Sequence, residues 1–373
     1  MSPLRIRIRN SSKIVCLGAI TLLNSLSARA EFFPDKGITV KRWKEPEGGW
    51  GFQRSYWIDD HELIYIRPDQ NRDEQYVKRN LRTGEEQILT EFTKRVFDNN
   101  DNSNTLPVIY PSPDGKYLTW VAREYTQVIA KSNGEVQSRR HREMPILYPG
   151  WSHDSTWSFC FLEGEISEIS PETKYVYPRA AFIAISAESV NTPSKAKTYP
   201  ISRKPIGEQS TLTGYYARPQ FPGSPVIHEG PGDPGLSNFH WHGSHITLVS
   251  PNDDLRTVVF EEFNIADTSR CIATHSIIMP DGWYFGSAVF SPKGDAIAWK
   301  ILRQDKVEIW ISSGTGKNLK RIGKFYAGEA GSLQIGFTEP LEPNFLQWLP
   351  NGKTISFREA RELYVVSASS RTQ

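Results

Sequence analysis

The sequence predicts an all-β fold, a six-bladed β-propeller of four-stranded antiparallel blades, and three observations predict it. One turn-and-strand grammar recurs six times, most of the recurrences carry a second strand pair, and the last is one strand short while an unused strand-like stretch stands near the amino terminus. The chain has 373 residues, 38% of them apolar and 12% aromatic, with 27 Gly and 25 Pro. That composition supports a sizeable core, and it excludes a disordered chain and a coiled coil.

The six segments are residues 56–66 (YWIDDHELIYI), 110–121 (YPSPDGKYLTWV), 151–162 (WSHDSTWSFCFL), 241–249 (WHGSHITLV), 290–301 (FSPKGDAIAWKI) and 348–357 (WLPNGKTISF). Each opens on an aromatic residue: Trp57, Tyr110, Trp151, Trp241, Phe290 or Trp348. A Pro/Asp/Gly/His turn follows, then a run rich in β-branched and aromatic residues. Proline presets φ, aspartate bonds its own turn backbone, and glycine supplies positive φ, so the flanking runs pair as an antiparallel hairpin.

In the first unit, 63–67 is followed by 75–80, the turn Arg82-Thr83-Gly84-Glu85 and a closing strand 87–90; in the fifth, 296–301, 307–312 and 319–322 repeat that order. A lone pair of strands buries too little, whereas stacked blades cover each other's faces. The last unit has 345–348, 354–358 and 363–367 and then runs out of chain. Gly37 to Trp43 is expected to supply its outer strand and close the ring, since an open edge invites aggregation.

These motifs resemble the TolB-like, WD40-like propeller repeats of bacterial envelope proteins. The matches are Ser112-Pro113-Asp114-Gly115-Lys116, Ser291-Pro292-Lys293-Gly294-Asp295 and Thr83-Gly84-Glu85. Blades two, five and six follow the pattern well; one, three and four are degenerate. The resemblance covers nearly all of 31–373, read as a single propeller domain, and it implies a scaffold that binds an envelope protein or small ligand. It departs from TolB in having only 25 residues, 31–55, between a leader and the first repeat, too few for that family's amino-terminal α/β domain.

Residues 1–30 read as a secretory signal peptide: Arg5, Arg7, Arg9 and Lys13, then a mostly apolar stretch from Ile14 to Leu26, then Ala28-Arg29-Ala30. The apolar run is shorter than the ~20 residues of a membrane span. Cleavage before Glu31 removes five basic and no acidic side chains, taking the formal net charge from +2 to −3. A mildly acidic chain lacks the basic footprint that nucleic acid requires. The expectation is a periplasmic or secreted monomer without a membrane span.

The blades average about 57 residues against the roughly 40 to 45 of such repeats, so loops carry the surplus. Inserts at 94–105, 163–177, 204–238 and 326–344 are expected on the face opposite the Ser-Pro-Asp-Gly turns. The longest offers Tyr215, Tyr216, Arg218, His228, Glu229 and Asp233 as aromatic platforms and hydrogen-bonding groups for a ligand, with His240 beside them at the channel mouth.

Four imidazoles, His228, His240, His242 and His245, tempt a metal reading, and Ile227-His228-Glu229-Gly230-Pro231 is faintly similar to metal-binding propeller lyases. Register places His242 and His245 in the turn of blade four, so neither a metal nor another cofactor is called for. No nucleophile elbow, P-loop or dinucleotide fingerprint occurs, and no catalytic residue is named. The alternative to a binding scaffold is a lyase or hydrolase acting on a polysaccharide, metal-assisted or not. Cys160 and Cys271 are expected to be buried thiols in strands too far apart to bridge.

Overall fold

The computed structural model describes residues 31–44, 55–69, 71, 73–100, 106–122, 126–141, 146–162, 168–169, 176–177, 182–202, 217–219, 226–228, 239–251, 256–303, 306–326, 344–359 and 362–367. Two strands open it, β1 (Phe32–Pro34) and β2 (Val40–Lys44). Blade one is β3 (Tyr56–Trp57), β4 (Glu62–Pro68), β5 (Glu74–Asn80) and β6 (Glu86–Ile88), followed by helix α1 (Thr90–Asp98). Blade two is β7 (Tyr110–Pro111), β8 (Tyr117–Ala122), β9 (Thr126–Lys131) and β10 (Val136–His141).

Blade three comprises β11 (Ile146–Trp151), β12 (Trp157–Leu162), β15 (Phe182–Ser189) and β16 (Thr192–Ser202), with a small pair, β13 (Glu168–Ile169) and β14 (Val176–Tyr177), set between its middle strands. A second small pair, β17 (Ala217–Pro219) and β18 (Val226–His228), precedes blade four, which is β19 (Phe239–His242), β20 (His245–Pro251), β21 (Thr257–Asn264) and β22 (Asp267–Ile278). Blade five is β23 (Tyr284–Phe290), β24 (Ala296–Arg303), β25 (Lys306–Ser313) and β26 (Lys320–Tyr326); blade six has β27 (Asn344–Trp348), β28 (Thr354–Glu359) and β29 (Glu362–Ser367).

The six blade sheets stand in a ring, and the chain is a six-bladed β-propeller. Blade six is completed by β2, which pairs antiparallel with β29 from Val40 opposite Val366 to Lys44 opposite Glu362. The expected closure is therefore present. An addition the repeat pattern did not forecast lies beside it: β1 pairs with β26, making blade five a five-stranded sheet. Phe32 from β1 is 4% exposed and packs among Phe325, Phe357 and Tyr364, with centroids 5.0, 5.0 and 5.9 Å away. Gly323 leaves room for that ring, because a Cβ there would overlap it. Arg321 fastens the same corner, bonding Asp35 at 2.9 Å and Glu308 at 2.9 Å.

The shared turn chemistry matches its sequence. In blade two the Ser112 hydroxyl donates to Asp114 at 2.7 Å and accepts the Tyr117 amide at 3.0 Å. Ser152 repeats both bonds in blade three, while in blade five Ser291 donates instead to Asp295, four positions on, at 2.7 Å and accepts the Ala296 amide at 3.1 Å. Blade three places Ser155 at φ 60° where the turns of blades two, five and six have Gly115, Gly294 and Gly352. The leading aromatics stitch neighbours together: the Trp151 indole donates to the Tyr110 carbonyl and that of Trp348 to the Val289 carbonyl, each at 2.9 Å.

Part of the expected 94–105 loop is helical. Helix α1 buries Phe92 and Val96, one turn apart, in the core between blades one and two, where Phe92 packs edge-on to Tyr76 at 5.2 Å. Among the described residues no helix is long and apolar enough to cross a membrane. Cys160 lies in β12 and Cys271 in β22, both as free thiols; Cys160 is buried and Cys271 only half-buried.

Candidate functional site

The turns between the first and second strands of the blades gather at one end of the ring. A cavity of about 840 Å³ opens among those of blades one, two, five and six. Its walls come from the innermost strands and their approaches, with Ile109, Val289, Phe290 and Leu346 giving apolar surface. Its mouth is set by Asp59, Asp60 and His61 of blade one, Asp114 of blade two, Pro292 of blade five and Asn351 of blade six. Farther along β23, Ser287 stands opposite Lys300, a lysine only 4% exposed.

The mouth is rigidly built. The Asp59 carboxylate accepts the amides of His61 and Glu62 at 2.7 Å each, a self-bonded turn. Asp60 accepts the Asn351 amide at 3.1 Å across the closing seam. Asp114 pairs with Lys116 at 3.0 Å, and these bonds, with the one from Ser112, hold its carboxyl below the usual range despite the opposing effect of burial. In the wall, Tyr56 is 6% exposed and its phenol oxygen has no hydrogen-bond partner; burial pushes its pKa far up, so the group stays a neutral donor.

Next to this cavity three histidines meet. The His153 ring lies 5.5 Å from His240 and 5.5 Å from His242, and His240 and His242 stand 6.3 Å apart, nearly parallel. His240 and His242 share one side of β19 because side chains alternate along a strand. His153 arrives from the turn of blade three, whose amide donates to the Trp241 carbonyl at 2.7 Å. On its other side His240 packs on Phe290 at 5.0 Å, and a Cβ at Gly294 would fall on the His240 ring. The Nε2 atom is buried against that turn without a hydrogen-bond partner. Burial, then the charges His153 and His242 would carry, push the His240 pKa down to about 4.

His240 packs between the turns of blades three and five. A Cβ added at Gly294 would meet the Cε1 and Nε2 atoms of this ring, and among the described residues no group of three or more His, Cys, Asp or Glu is arranged to hold a metal. His242 and His245 flank the Gly243-Ser244 turn, as their register implied. Arg218 and His228 lie in the β17–β18 pair, where Arg218 is opposite Ile227 and His228 opposite Ala217. Tyr215, Tyr216, Glu229 and Asp233 lie outside the described residues.

His153, Asp59 and Asp60 were missed by sequence reasoning. The signal was present: His153 occupies the proline position of the Ser-Pro-Asp-Gly turn.

No family model matches this sequence, and no curated protein matches it. Several solved structures are distantly similar. TolB from Acinetobacter baumannii is 14% identical with a TM-score of 0.38, over 72% of this chain and 52% of that one, so the chain spans about half of that protein's length. A putative TolB from Agrobacterium tumefaciens is 10% identical with a TM-score of 0.42, over 88% and 97% of the two chains. The Cps50 (Swd1) β-propeller domain from Myceliophteria thermophila is 10% identical with a TM-score of 0.41, over 91% and 99%.

Proposed function

We propose that the protein is an exported binding scaffold that receives a partner protein or small ligand in the cavity at the turn end of its ring. The observation that carries this reading is the cavity itself, about 840 Å³ with apolar walls and a few fixed polar groups at its mouth. That combination of concave apolar area and sparse, oriented polarity characterises ligand sites. The orphaned Tyr56 phenol adds a buried donor that an occupant could satisfy. The long-loop residues named from the sequence remain part of the proposal as a second contact region on the opposite face. A leader at 1–30, and one propeller over 31–373 acting as a monomer in the envelope or outside the cell, complete it.

A tagged mature chain incubated with its native envelope fraction tests the cavity. Ser287→Trp fills it from the wall, and the variant is compared with wild type at equal thermal midpoint. The expected result is a stoichiometric partner captured by wild type and lost in the variant. Equal capture by both would move binding away from the cavity, and no capture would remove the scaffold reading. Mass measurement of the secreted chain tests export, with Glu31 as the expected first residue.

A further inference from the structure

We propose that the His153–His240–His242 stack is an acid-sensitive latch on the cavity wall, holding the blade-five turn against blade four while its rings are neutral and releasing it when they are protonated. Its functional consequence rests on the cavity reading above, but the latch can be observed with no ligand present.

Three imidazoles whose centroids lie 5.5 to 6.3 Å apart can pack together while neutral but repel one another once more than one is charged. Coulomb repulsion between protonated rings at such spacing is appreciable wherever water is partly excluded. The rings also sit at a junction. His153 belongs to blade three, His240 and His242 to blade four, and His240 rests on Phe290 and Gly294 of blade five. Phe290 and the neighbouring Pro292 line the cavity, so a displacement of this turn changes the cavity mouth.

The charged neighbours set which ring responds how. Asp154 from the blade-three turn and Asp295 from the blade-five turn favour protonated His153, while burial, His242 and Lys293 oppose it, and the balance lowers its pKa. The two carboxylates are themselves held in their turns, Asp154 by Ser152 and Thr156 and Asp295 by Ser291. His240 has no such counter-charge: burial, His153 and His242 all oppose its protonation. His245, across the blade-four turn, is engaged with the Ser244 hydroxyl at 3.1 Å. Burial and both neighbouring rings thus oppose a charge on His240, which a proton would set beside like charges and an apolar ring.

Hydrogen exchange of the mature chain at about pH 7 and about pH 4, corrected for intrinsic rates, tests this in segment 285–296, with 117–131 of blade two as the internal control. The expected result is a loss of protection of about tenfold or more in 285–296 at low pH, without a matching loss in the control, and its disappearance in the double variant His153→Gln/His242→Gln. Histidine NMR titration of the same proteins, with near-ultraviolet circular dichroism to show a native fold at pH 7, should give a depressed, neighbour-dependent pKa for His240. Unchanged protection in wild type, or the same loss in the double variant, would overturn the latch and leave the cavity reading intact. Loss of Ser287→Trp discrimination would remove the cavity reading and leave the latch.

Discussion

Trp57 in blade one donates its indole N–H to the Ser356 hydroxyl in blade six at 2.7 Å, across 299 residues of sequence. Both groups are buried, Trp57 at 6% and Ser356 at 1% exposure, so the bond lies inside the seam that closes the ring. Removing the hydroxyl with Ser356→Ala strands a buried donor and should cost ~1–3 kcal/mol in urea unfolding. Trp57→Phe should abolish most of the added effect of Ser356→Ala, because the two act through one contact.

A buried carboxylate at the neighbouring corner gives a larger effect. The Glu308 side chain is 1% exposed and is held by Arg321 at 2.9 Å and by the Trp310 indole at 2.8 Å. The Arg321 pKa is raised, first by its bond to Asp35, with burial opposing and Glu308 adding to the rise, so the guanidinium is charged at every working pH. Arg321→Met should leave an uncompensated buried charge and cost ~3–5 kcal/mol. Much of that should return in Arg321→Met/Glu308→Gln, measured as a double-mutant cycle by equilibrium unfolding.

Two glycines of the same turn type should respond differently to alanine. Gly115 has φ 72° with nothing within 4 Å of a new Cβ, so Gly115→Ala meets only the left-handed backbone cost of ~1–2 kcal/mol. Gly294 has φ 67°, and a Cβ there would overlap His240. Gly294→Ala should destabilise clearly more, and thermal midpoints of the two variants compare them directly. Equal midpoints would contradict the packing of His240 on this turn.

Stability should depend on pH through His240. Its pKa falls from the ordinary 6.5 to about 4 in the folded chain, so the unfolded state binds more protons in that window. The contribution is fully present above about pH 6.5 and is lost as pH falls toward 4, by at most ~3 kcal/mol. His240→Asn should flatten this part of the urea midpoint against pH, even if it lowers the midpoint at pH 7.

The ring was legible because its cause is local and repeated. A turn of fixed chemistry beside an apolar run forms a hairpin wherever it occurs, and an incomplete last unit with a spare early strand leaves one way to close. What could not be read came from pairings without a repeat. Phe32–Pro34 is only three residues long, and its place on blade five depends on the pocket formed by Gly323, Phe325 and Phe357, distant in sequence. Helix α1 was hidden because its length is short and its buried face consists of Phe92 and Val96 alone. The packing of His240 was not legible because β19 is four residues long, too short for spacing alone to fix which neighbours the ring meets.

The pairing of β2 with β29 also sets a timetable. Val40–Lys44 leaves the ribosome more than three hundred residues before Glu362–Ser367, its only means of joining blade six. The intermediate blades can form hairpin by hairpin as they emerge, while this early strand waits as a sticky, unsatisfied edge until Glu362–Ser367 follows. Sealing of blade six is thus delayed until that late strand is made, and a ribosome that stops before it releases a product whose first and last blades stay unjoined.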